Sequence, residues 1–140
     1  PILPYLFLLV ADVLQSQIQK DATIHNPLDS SKPCPVLQYA DDTLIVMRGD
    51  LGEVGRLKQL LDQFSDATGL RINYHKSTAV PIHMSEDNIP ACIAVLGVAG
   101  MGFLRLISPC HCLARSSGSW LLTHTSAGLI VTWLVGRHPF

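Results

Sequence analysis

The last third of this chain is short of charge. There is no acidic residue after Asp87, and residues 98–140 contain no Asp, Glu, Lys, Asn, Gln or Tyr. Only Arg105, Arg115 and Arg137 carry a fixed charge there, where an ordinary globular segment of that length holds about eleven charged residues. The composition breaks near Gly97. A charge surplus is also lacking: 10 Lys and Arg against 11 Asp and Glu give −1, which offers no global attraction to nucleic acid or to a membrane. The four cysteines (Cys34, Cys92, Cys110 and Cys112) are too few and too unevenly spaced for a disulfide framework, so a reducing compartment is expected. "PILPYLFLLV" has no initiator Met and no basic n-region and so reads as a poor signal peptide, and the chain reads as a piece of a longer one. Its apolar run stops at Asp12, short of the roughly 20 residues that span a bilayer. What remains is a chain of 140 residues, 48% hydrophobic, with enough apolar material for one modest core.

The elements are regular up to the break. Residues 4–19 read as a helix with Pro4 at its start, where a missing N–H does no harm. Residues 21–35 are rich in Asp, Asn, Pro, Ser and Lys and read as a loop. Two short β-rich runs follow, 36–40 and 43–48, which signal a hairpin. Asp50 caps the next helix, 51–68, and Gly69 ends it. Along it Val54, Leu57, Leu61 and Phe64 recur at helical spacing and are expected to pack on the hairpin sheet. "LRINYHKSTAVPI" alternates as one or two strands with a turn near Asn73, and Ser85 opens a short helix whose first turn takes Pro90. The expected fold class is α/β (α+β): helix, hairpin, helix, short strands, helix.

One stretch breaks the pattern of buried strands. In "VLQYADDTLIVM", Asp41 and Asp42 stand side by side within an apolar run. Adjacent carboxylates repel each other, and an unpaired buried one costs several kcal/mol. A tight turn pushes both out at the end of a sheet. There they are either a solvated Asp-Asp turn or part of a site for Mg²⁺, a cation that takes hard oxygen ligands and usually one or two carboxylates.

Tyr39-Ala40-Asp41-Asp42 between two apolar strands resembles the YxDD box of reverse transcriptases, in the form found in non-LTR (LINE-type) retrotransposons, the plant members above all. "PILPYLFLLVADVL" resembles the tail of the family's Q-G-D-P-L-S-P-Y-L-F block, with Leu3 where that block has serine. "GLRINYHKS", from Gly69 to Ser77, is similar to its G-L-x-I-N-x-x-K-S segment. The three motifs occur in the family's order and at its usual spacings, and they cover roughly residues 1–97.

The resemblance implies a partial reverse-transcriptase palm over 1–97 and two-metal nucleotidyl transfer, an RNA-directed DNA polymerase activity, in the parent enzyme. It implies that Asp41 and Asp42 ligate Mg²⁺ or Mn²⁺, Asp41 being the more essential. Tyr39 and Ala40 fall beside the primer end. Lys76 falls near the incoming triphosphate, where it would stabilise charge or donate a proton at the pyrophosphate. Read alone, Lys76 is equally a solvated lysine at a strand end. The implied partners are an RNA template, a DNA primer and deoxynucleoside triphosphates, with no membrane and no specific protein partner. The family's setting is intracellular, nuclear or cytoplasmic. The family's first palm aspartate lies upstream of the proline block, and neither fingers nor thumb is recognisable. The fragment is therefore expected to be inactive alone.

Residues 98–140 are expected to form no defined domain and a poorly ordered tail, without close packing of Trp120 or Trp133 against the palm core. The family carries a "G-F-P-x-x-Y-L-G-L-P-L-S" block just past this point. Codons for Met101 to Leu113, read one nucleotide earlier, permit G-F-P-Q-T-Y-L-S-L-P-L-S. An out-of-frame tail is thus the expected cause of the break. Cys110-His111-Cys112, with His124 and His138 beyond, matches no common zinc spacing. His25, His75 and His83 show no ligand spacing either and are assigned no chemistry. Two alternatives stand beside the polymerase fragment: an inert product of a decayed element, and a small membrane-associated protein anchored through residues 119–136.

Overall fold

Why the chain folds as it does is plainest at its helix ends. In the computed structural model, which describes residues 2–39, 42–98 and 128–136, α1 spans Leu3–Lys20 with a proline in its first turn and Lys20 in its last. Both placements suit a helix, since the first N–H groups have no partner and a cation complements the C-terminal dipole. α2 spans Leu51–Thr68. Asp50 caps it by accepting hydrogen bonds from the backbone N–H groups of Gly52 and Glu53 at 2.9 and 3.2 Å. Gly69 ends it at φ +71°, the left-handed conformation that a residue without Cβ adopts freely. α3, Asn88–Leu96, takes Pro90 in its first turn and ends at Gly97 in the same way.

β1 (Val36–Tyr39) and β2 (Asp42–Arg48) form the expected antiparallel hairpin, in register from Val36 opposite Ile45 to Tyr39 opposite Asp42. Asp42 is the first residue of β2, one position earlier than the sequence signal suggests. β3 is a single long strand, Arg71–Ile82. Its register shifts between Asn73 and Thr78, at the position where the sequence suggests a turn. The bulge is closed by its own polar groups: the Ser77 hydroxyl donates to the Asn73 carbonyl at 2.7 Å, and the Lys76 N–H to Asn73 Oδ1 at 3.2 Å.

The C-terminal segment departs from expectation. Residues 128–136 do not lie apart from the preceding elements: β4, Gly128–Gly136, is an inner strand of the sheet, whose order is β1-β2-β4-β3. It runs antiparallel to both neighbours, from Arg48 opposite Gly128 to Asp42 opposite Leu134 on one side, and from Ile82 opposite Gly128 to Arg71 opposite Gly136 on the other. The physical reason lies in α2. The β2-α2-β3 connection sets β2 and β3 parallel and one strand apart, leaving two rows of backbone donors and acceptors that need partners. "GLIVTWLVG" is apolar and rich in β-branched and aromatic residues, so it satisfies both rows as an inner strand. Of the two tryptophans in the tail, the backbone of Trp133 pairs opposite Thr43. Trp120, the Cys110-His111-Cys112 group, His124 and His138 lie outside the described residues. So does the first part of the proposed membrane anchor; its second part is β4. Among the described residues no helix is long and apolar enough to cross a membrane.

The core sits between the sheet and the helices. Val54, Leu57, Leu60, Leu61 and Phe64 of α2 are buried against it, as the helical spacing predicts. Ile45, Val131 and Ala79 are backbone partners across β2, β4 and β3, and all three are fully buried. Leu14 and Ile18 fasten the second half of α1 to this core, while Tyr5, Leu6, Leu8, Leu9 and Val13 are exposed.

Candidate catalytic hairpin

The hairpin is held from behind by α1. Gln38 of β1 donates from Nε2 to the Ala11 carbonyl at 2.9 Å, which fixes the strand against the helix. At the open end Tyr39 and Asp42 face each other as the last pair of the register, and both are exposed. Ala40 and Asp41 connect them and lie outside the described residues. Asp42 makes no ion pair among the described residues.

Lys76 belongs to the same end of the sheet. Leu134 of β4 lies opposite Asp42 on one side and opposite Asn73 on the other. The β3 bulge that begins at Asn73 and carries exposed Lys76 is therefore two strand spacings from Asp42, about 9–10 Å. The sheet brings Tyr39, Asp42 and the bulge of Lys76 to one end of its strands, although Lys76 is remote from the hairpin in sequence. An exposed carboxylate on a strand end has the hard oxygen donors that Mg²⁺ or Mn²⁺ takes, and by itself it is at most part of a ligand set. No group of three His, Cys, Asp or Glu side chains is drawn together among the described residues.

A second polar centre was not legible in the sequence. Glu53, in the first turn of α2, is buried, with its side chain only 8% exposed. Its carboxylate accepts from the backbone N–H of His25 at 2.9 Å and pairs with the His25 ring at 3.0 Å, with Arg48 at 3.8 Å. His25, which by spacing alone has no assigned chemistry, is a clasp that ties the loop after α1 to α2. The only signal was Glu53 three residues after the cap residue Asp50, which ordinarily marks a capping box. Here the carboxylate turns to the loop instead.

The two described cysteines, Cys34 and Cys92, offer no reactive thiol. Burial, and then the nearby charge of Glu53, push the Cys34 thiol up to about 12. It donates to the Val46 carbonyl at 3.2 Å. The Cys92 thiol is also raised, by burial and then by Asp50. Protonated, buried thiols are not nucleophiles.

A cleft of about 860 Å³ opens between the end of α2 and the start of β3, lined among others by Asp62, Asp66, Arg71 and Tyr74. Along it the Lys58 ammonium contacts Asp62 at 2.6 Å and the Tyr74 hydroxyl at 3.0 Å. Burial opposes the charge on Lys58, but these two hydrogen bonds outweigh it and raise its pKa. With Asp62 engaged by Lys58, Asp66 and Arg71 leave this cleft without a surplus of positive charge for the phosphates of a nucleotide. The chain matches no family model and no solved protein structure.

Proposed function

We propose that this chain is part of the palm of a non-LTR retrotransposon reverse transcriptase, and that residues 2–97 hold its catalytic hairpin. One arrangement carries the reading: Tyr39 and Asp42 end the β1–β2 hairpin at the same end of the sheet as the β3 bulge with Lys76. In this reading Asp41 and Asp42 hold the divalent ions, which activate the primer hydroxyl and stabilise the leaving pyrophosphate. Tyr39 and Ala40 support the primer end. Lys76 offers positive charge where negative charge develops on the leaving group. RNA template, DNA primer and deoxynucleoside triphosphates are the partners. The exposed apolar residues in the first turns of α1 favour a larger body around this one, because a helix apolar on all sides is normally covered. The family's site takes a third carboxylate, which none of these 140 residues matches, so these residues are expected not to polymerise by themselves.

The chain of 140 residues is expected to show no primer extension on an RNA template with Mg²⁺ or Mn²⁺. A chimera with the upstream segment of an intact relative before Pro1, and an in-frame downstream region in place of 98–140, is expected to extend primers. Asp41→Asn in that chimera abolishes extension, because an amide supplies oxygen without the charge that the ions require. Undiminished extension by Asp41→Asn removes the metal role. Leu3 favours a second reading, the inert product of a decayed element. In that case the chimera stays inactive until Leu3→Ser restores the family's residue.

A further inference from the structure

β4 is the last described element in the sequence and an inner one in the sheet. Its pairs join residues as far apart as Asp42 and Leu134, the kind of non-local contact that forms late in folding. Before it docks, β2 and β3 expose two facing rows of unpaired backbone groups, a template for any complementary strand. The segment between α3 and β4, residues 97–127, has a reach of roughly 100 Å at about 3.3–3.6 Å per residue. That reach lets β4 dock in its own chain, and a second copy, carrying the identical strand, presents it to the same gap. We propose that the gap between β2 and β3 is a strand-acceptor site that takes residues 128–136 from a second copy during folding, giving a strand-exchanged dimer. The register already seen in one chain is then made between two: Val131 of each copy sits between Ile45 and Ala79 of the other, and Leu134 lies opposite the other's Asp42. No new contact is required, which is why exchange of an identical element is a low-cost route to dimers. The inference rests on the sheet topology and is independent of the polymerase reading.

The balance is set by concentration, because a tethered strand competes at an effective concentration of about millimolar. The test uses the full chain with Cys110→Ser and Cys112→Ser, leaving only the buried Cys34 and Cys92. One version adds Leu44→Cys and a size tag; another adds Thr132→Cys. These positions are direct cross-strand partners, within disulfide reach. The two versions are unfolded, mixed and refolded under oxidation from about 10 μM up to about 1 mM, which reaches the effective concentration of the tethered strand. A covalent tagged–untagged dimer is expected. Its ratio to monomer should rise about tenfold per tenfold in concentration, and it should not form when the two versions are refolded separately before mixing. A chain with both Leu44→Cys and Thr132→Cys closes its own disulfide when refolded dilute. If that chain closes while the mixture gives no covalent dimer at any concentration, β4 docks only within its own chain and the proposal fails. If the doubly substituted chain does not close, β4 does not occupy the gap and the proposal fails for that reason.

Discussion

Glu53 has the most demanding surroundings of any single residue described. A buried carboxylate is tolerated because it is fully engaged, by the His25 N–H and ring and by Arg48. Glu53→Ala leaves a part-buried N–H without its partner and is expected to destabilise the chain by about 1–3 kcal/mol in urea unfolding. Glu53→Gln, which keeps an acceptor, should lose less. Asp21 gives a pH signature. Burial raises its pKa, but hydrogen bonds from the Thr23 N–H and from Arg56 outweigh burial and leave it lowered. A carboxyl lowered on folding contributes stability above its unfolded value, near 3.8, that is lost as pH falls through the lower folded value. Asp21→Asn should therefore flatten the acid limb of a stability-against-pH curve below about pH 4. For Cys34 the sign reverses: a thiol raised from 9.0 to about 12 contributes a loss of stability as pH climbs through that window. At neutral pH a thiol-specific reagent should modify Cys34 and Cys92 only after denaturant is added.

Two glycines of α2 separate backbone conformation from space at the scale of the element. A Cβ at Gly69 meets nothing within 4 Å, but the residue sits at φ +71°. Gly69→Ala is expected to cost about 1–2 kcal/mol from backbone conformation alone. A Cβ at Gly55 also meets nothing within 4 Å, and that residue is mid-helix with no left-handed angle. Gly55→Ala should stabilise by about 0.8–1 kcal/mol. Thermal unfolding of the two variants should shift in opposite directions, and shifts of the same sign would contradict the helix end. Both ends of α2 were legible because caps are local: an aspartate or a glycine acts within one turn. The β3 bulge was half legible. Asn73 marked the irregularity, but only pairing with β4 shows that the strand resumes beyond it.

For the whole molecule, β4 decides whether the sheet is continuous. A chain ending at residue 127 would leave β2 and β3 with facing open edges and remove Val131 from between Ile45 and Ala79. Cooperative unfolding is expected to be lost, with dye binding to exposed apolar surface and self-association on a sizing column. Val131→Asp, which puts an unpaired charge in the same row, should do the same in the full-length chain. A truncated chain that unfolds as one sharp transition would show that β4 is dispensable.

The sequence by itself determined α1, the hairpin, α2 with its caps and α3, because periodicity, turn residues and capping groups act over a few positions. It also marked the Tyr39–Asp42 stretch, since two carboxylates within an apolar run are a local conflict. It could not determine where residues 128–136 belong. Their composition fits a chance apolar stretch as well as an inner strand, and the choice depends on an opening that exists only once α2 has carried β3 past β2. The burial of Glu53 and the role of His25 were equally out of reach, because each partner is distant in sequence. That Asp42 and the Lys76 bulge share one end of the sheet was set by the tertiary structure as well: Leu134 lies between their strands and fixes that separation through hydrogen-bond register.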